Sequence, residues 1–240
     1  MLVEYKMINN VENFFKYIEK ENIDRPTKIA DCKIEFVTKD IYKLNDLYKN
    51  IELDDKLIYI KYTNSDGYSS ERCRQINPIL YKSIITDIFF VGLFFYFKID
   101  ENYVEIRITH ENIGTIYGIN TYDQYRTIYD YLNDIIYIRS DSVSNITDIN
   151  IIFSNVLYNT SHDISYFINI IAEMHEYMIM EMSTNHIKIK QIAKENNTNI
   201  IAIYNGIVDI KSQSIFGLKK AYQFIDNITD EIEKIKYGIS

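Results

Sequence analysis

The segment Phe167-Ile-Asn-Ile-Ile-Ala-Glu173-Met-His-Glu176-Tyr177 limits most tightly how this chain can fold. It is an apolar run with one acid in its middle and a second acid three residues on. At helical spacing Glu173 and Glu176 share a face with Asn169, Ile170 and Tyr177. A carboxylate among Ile, Met and Tyr is costly to bury unless it is paired or used. The run therefore predicts a helix that carries chemistry.

The remaining composition bounds the setting of that helix. With 240 residues, 47% of them apolar and 25% charged, the chain can build a sizeable core, and we expect a single domain over 1–240. Only 7 Gly and 2 Pro are present, which argues against flexible linkers. A net charge of −8 argues against a broad basic nucleic-acid surface but leaves room for a local patch. Cys32 and Cys73 have no metal-like spacing, and two cysteines build no disulfide framework. No signal-peptide pattern is visible in Met1–Asn10, which leaves the compartment open, and Ile84–Phe97 is too short to span a bilayer, so no membrane span is expected.

Periodicity divides the chain into early strands and late helices. Leu2–Met7 alternates as a strand, and Asn9 or Asn10 caps a helix to about Glu21 with Val11, Phe14, Phe15 and Ile18 on one face. Lys33–Val37, Lys56–Tyr62 and Tyr103–Ile108 read as strands, Asn64–Pro78 as a loop, and Ile84–Phe97 as a buried strand or hairpin. Thr121-x-x-Gln124 is a capping box opening a helix to about Tyr137. Further helices are expected from Ser144 or Asn145 to Tyr158, from Ser161 past Met182, over Thr198–Val208 and over Ile215–Lys236. The expected class is α+β: an N-terminal mixed β-sheet, then a mainly α-helical half whose long central helix carries the site. No internal repeat is evident.

Ala172-Glu173-Met174-His175-Glu176-Tyr177 resembles the catalytic helix of the ribosome-inactivating proteins, the family of the ricin A chain and the Shiga toxin A subunit. Other segments fall in that family's order. Val3-Glu4-Tyr5 with Val11–Phe15 is similar to its first strand and helix, and Thr86–Gly92 to the strand bearing a stacking aromatic. Tyr117–Asp123 is similar to its Gly-Asn-Tyr-Asp segment, and Asn155–Ser161 to its Tyr-rich turn. The chain departs from the pattern in three places. Glu176 stands where the family has Arg, Phe89 where it has Tyr, and Asn205 near its pocket Trp.

The resemblance implies an enzyme, an rRNA adenine N-glycosylase that depurinates large-subunit rRNA. Its partner would be the ribosome, its product adenine, and it would need no cofactor and no metal. It implies a monomeric, A-chain-like toxin, secreted and acting in a target-cell cytosol. Phe89 and Tyr122 would stack on the flipped adenine, Glu173 would stabilise the cationic ribose, and Tyr204 and Asn205 would line the pocket. A protonated Glu176, or Arg126 or Arg139, would serve the leaving base. The alternative is a binding protein on the same scaffold with catalysis weakened or lost. His162, His175 and His186 show no zinc-like pairing. Met174, Met178, Met180 and Met182 read as core filling, and Lys188-Ile-Lys190 and Lys219-Lys220 as solvated faces.

Overall fold

Strands run through both halves of the chain. The computed structural model describes residues 10–24, 27–38, 44–74, 90–137, 146–174, 177–192 and 198–238. In order these form α1 (Val11–Asp24), β1 (Thr27–Thr38), α2 (Leu44–Asn50), β2 (Leu57–Thr63), β3 (Ser69–Cys73), β4 (Gly92–Ile99), β5 (Asn102–Ile108), β6 (Ile113–Tyr117) and α3 (Tyr122–Tyr137). There follow β7 (Ile146–Asn159), α4 (Ile164–Glu173), β8 (Met178–Met182), β9 (His186–Ile192), β10 (Thr198–Tyr204), β11 (Ile207–Ser212) and α5 (Ile215–Tyr237). The elements divide between two compact units. The middle unit is Lys33–Asn150; the terminal unit combines Met1–Cys32 with Ile151–Ser240.

In the middle unit the hydrogen-bonded order is β3-β2-β4-β5-β6-β1, each described pair antiparallel. One face, with Leu93, Phe95 and Phe97 of β4 and Val104, Ile106 and Ile108 of β5, is fully buried. Helices α2 and α3 belong to this core: α2 packs on β2 and β4, and Tyr131 of α3 meets Phe97 edge-on at 5.1 Å. Thr121 does open α3. Its Oγ1 accepts from Gln124 N at 3.2 Å, while the Gln124 side chain accepts from Asn120 N at 3.1 Å. In the β1–β6 pair Gly114 faces Phe36, whose ring lies where a Cβ would be, 2.0 Å away.

The terminal unit holds β7-β11-β10-β9-β8, again antiparallel throughout. Ile187, Ile189, Ile201, Ile203, Val208 and Ile210 are fully buried, and α4 and α5 pack against strands β9 to β11. Helix α1 brings Tyr17 to Tyr222 of α5, ring centres 6.1 Å apart, and buries Val11, Phe14, Phe15 and Ile18 as its spacing predicts. Beneath the start of α5 lies a buried polar network. Asn199 Nδ2 donates to Gln191 Oε1 and to Gly217 O, both at 2.8 Å, and Ser212 Oγ donates to Asn199 Oδ1 at 2.8 Å.

The expected split into an N-terminal sheet and a mainly helical half is overturned. Where a helix is expected from Ser144 or Asn145 to Tyr158, the described residues from Ile146 form the strand β7. Its β-branched content, Ile146, Ile149, Ile151, Ile152 and Val156, favours a pleated backbone over a helix. The long central helix does not exist either. Helix α4 is capped by Asp163, whose side chain accepts from Ser165 N at 2.8 Å, and it stops at Glu173 with Met174 already extended. Thr198–Val208 is a hairpin turning at Asn205-Gly206, with Gly206 at φ 78°. Within Asn64–Pro78, Ser69–Cys73 forms β3. The expected strand Leu2–Met7 and most of Ile84–Val91 lie outside the described residues.

The two units also share a plan that the sequence hides. In each, a long strand leads to a helix, then to an antiparallel meander whose last strand pairs with the long one, then to a capped helix. β1-α2-β2/β4/β5/β6-α3 and β7-α4-β8/β9/β10/β11-α5 both follow it.

Candidate functional site

The strands give each sheet a second face opposite the buried one, because side chains alternate along a strand. In the terminal unit register places Lys190 beside Ile200, Lys211 and Asn155 in one row, and Lys188 beside Ala202, Asp209 and Leu157 in the next. Glu181 and Met178 extend these rows on β8. Three lysines thus meet two acids on a partly exposed surface with aliphatic filling. Burial raises the Asp209 carboxyl while Lys211 and Lys188 oppose that rise. One oxygen each of Asp209 and Asn155 is buried without a hydrogen-bond partner. At the end of this face His186 and Tyr204 stack at 5.9 Å.

The middle unit builds its second face from aromatics. Tyr59, Phe94, Tyr96 and Tyr103 run across β2, β4 and β5, with Phe94–Tyr96 and Tyr96–Tyr103 stacked at 6.3 and 5.6 Å; Tyr59 and Phe94 are buried, Tyr96 is half-buried and Tyr103 is exposed. Phe90 packs on the same cluster. The Arg107 guanidinium lies 5.6, 5.9 and 5.3 Å from the ring centres of Phe90, Phe94 and Tyr117, and its Nε contacts Glu105. Desolvation pushes the Glu105 carboxyl up to about 7. Lys33 stands over Tyr117 at 5.1 Å, and Lys61 is placed beside Phe94 by register.

Charge is therefore divided by element type. Helix α1 carries Glu12, Glu19, Glu21 and Asp24 against Lys16 and Lys20, and α3 carries Asp123, Asp130 and Asp134 against Arg126 alone. The acid excess of the chain is shared between helices α1 and α3 and the connecting segments, α5 being balanced with four acids and four lysines, and the sheet faces are near neutral or slightly basic.

The residues singled out by sequence are dispersed over the two units. Glu173 is exposed at the last turn of α4, so no desolvation argument applies to it. Tyr204 ends β10, exposed, and Asn205 lies in the following turn; both belong, like Glu173, to the terminal unit. Tyr122 opens α3 in the middle unit and packs on Tyr125 at 6.0 Å. Phe89 and Glu176 lie outside the described residues. Cys32 is buried and Cys73 exposed, both free thiols. Among the described residues no cluster of His, Cys, Asp and Glu is placed to hold a metal ion, and no helix is long and apolar enough to cross a membrane.

The architecture is that of a two-unit antiparallel sheet with helices on one face of each unit's strands. A solved structure of the same fold is the TBP of Methanococcus jannaschii, aligned with a TM-score of 0.52 and 13% identity over 85% of this chain and 98% of that one. No family model matches the chain, and no curated protein does.

These findings overturn the resemblance to ribosome-inactivating proteins, and with it rRNA depurination, the ribosome and adenine as partners, and a toxin's role. Physically, the matching motif needs one continuous helix through Glu173 and Tyr177, and α4 ends between them. The lysine cluster is visible in the sequence only through the period of Ile187-Lys188-Ile189-Lys190. Its strict alternation is a strand signal that puts both lysines on one face.

Proposed function

We propose that this chain is a non-enzymatic DNA-binding module that contacts duplex DNA with the second face of its strands. The observation that carries the proposal is the cluster of Lys188, Lys190 and Lys211 on one face of the terminal unit's strands, three lysines against Asp209 and Glu181 in a chain of net charge −8. Lysines at this spacing suit phosphate contacts, which supply most sequence-independent affinity. Antiparallel sheets of this kind can lie in a DNA groove, and apolar side chains on them can wedge between base steps. The likeness in fold to a TBP supports this reading without reaching any residue.

Fluorescence anisotropy with a labelled A·T-rich duplex of about 16 base pairs tests it. Binding is expected at low salt with a Kd roughly in the micromolar range and weakening steeply as salt rises. No anisotropy change at about 100 µM protein and low salt would refute it. A second reading, docking of a partner protein by strand addition, is favoured by β8, whose five residues are all exposed, Met178 at 62%. Failure of the duplex test would favour that reading.

A further inference from the structure

A cleft of about 340 Å³ opens in the middle unit between the segment after α2 and helix α3. Leu47, Ile51, Leu53 and Ile135 line it with aliphatic surface, and Tyr131 stands in its wall. Its polar lining is Asn50, the Tyr131 hydroxyl and two carboxylates, Asp54 and Glu52, so its charged groups are all acidic. Among the described residues no ion pair includes Glu52. Asp54 is fixed in place: its Oδ1 accepts from Lys56 N and Leu57 N at 2.8 and 2.6 Å, and its Oδ2 accepts from Tyr131 OH at 2.7 Å. Burial tends to raise the Asp54 carboxyl, but the bonds from Leu57, Tyr131 and Lys56 and the Lys56 charge outweigh it, so the group stays ionised at neutral pH. Arg74 bonds the Leu53 carbonyl nearby, yet its charge is matched by Asp55 at 3.2 Å.

We propose that this cleft binds an organic cation with a short aliphatic tail, the chemistry of an alkylammonium ion or a lysine side chain. The tail takes the place of water against Leu47, Ile51 and Ile135. The ammonium group meets the carboxylates at the rim and can lie near the Tyr131 ring, where a cation is favoured. A neutral or anionic ligand of the same length gains the apolar contact only, or is repelled.

Two-dimensional NMR of the isotope-labelled chain tests the assignment with n-pentylammonium, the peptide acetyl-Gly-Lys-Gly-amide, n-pentanol and pentanoate. Saturable shifts at Leu53, Asp54 and Tyr131 are expected with the two cations, at least tenfold stronger than with pentanol and absent with pentanoate. Tighter binding of the peptide identifies a protein side chain as the natural ligand, and tighter binding of pentylammonium a free amine. Glu52→Gln, at an exposed position, should weaken pentylammonium several-fold and leave pentanol unchanged. Equal shifts from pentanol and pentylammonium, or none that saturate, would overturn the proposal. DNA binding plays no part in either outcome.

Discussion

Glu105 shows how a single residue depends on its neighbours. It lies on a sheet face among Tyr96, Tyr103 and Arg107, and desolvation raises its carboxyl to about 7. A group whose folded-state pKa exceeds its unfolded one contributes stability below the unfolded value and loses it as pH rises through the folded value. Denaturant melts should therefore show stability falling between about pH 4.5 and pH 7. In Glu105→Gln that slope should be gone. A contact between Glu105 and the Arg107 guanidinium opposes the rise: were it dominant, the Glu105 contribution would reverse sign, and an unchanged slope in the variant would mean that the two effects cancel. Glu173 is the contrary case. Its sequence neighbours are apolar, but the chain turns it outward at a helix end, and it never enters a low-dielectric site. Burial of an acid cannot be read from the residues next to it, because it depends on where the helix stops.

Elements were legible where a local signal fixed them. Helices α1, α3 and α5 and strands β1, β2 and β5 follow from caps and periods, and their ends shift by only a few residues apart from β1, which begins earlier. The second half was misread because Asn, Ser and Thr there serve turns and strand ends as readily as helix caps. Asn205-Gly206 between two apolar runs was the decisive hairpin signal, and the alternation of Lys188 and Lys190 with isoleucine was the second. Long-range pairing lay beyond any local pattern. Gly114 matters only because β1 brings Phe36 across it. Gly114→Val should destabilise the protein by about 2 kcal/mol or more, measured by urea unfolding, since the Phe36 ring must move. Asn199→Ala should cost about 2–4 kcal/mol, since it strips partners from buried Gln191, Ser212 and the Gly217 carbonyl together. A loss under about 0.5 kcal/mol would show that the network is not needed to seat α5.

At the scale of the molecule, the repeated plan of long strand, helix, meander and capped helix explains why sequence comparison is silent while fold comparison is not. The plan needs only alternating strands and amphipathic helices, and many sequences supply these without common motifs. The same plan separates the two kinds of surface. Helices α1 and α3 carry an acid excess, and the strands place lysines and aromatics on the face opposite their aliphatic core. Function is then claimed for that face and not for the chain's net charge. The most direct measurement compares the salt dependence of duplex binding in the wild type, in the triple variant Lys188→Ala, Lys190→Ala, Lys211→Ala, and in the helix control Lys234→Ala, Lys236→Ala. The account predicts that the triple variant binds more weakly, with the slope of log K against log salt reduced by roughly two to three, while the control matches the wild type. Equal slopes for all three proteins, or a loss confined to the helix control, would contradict it.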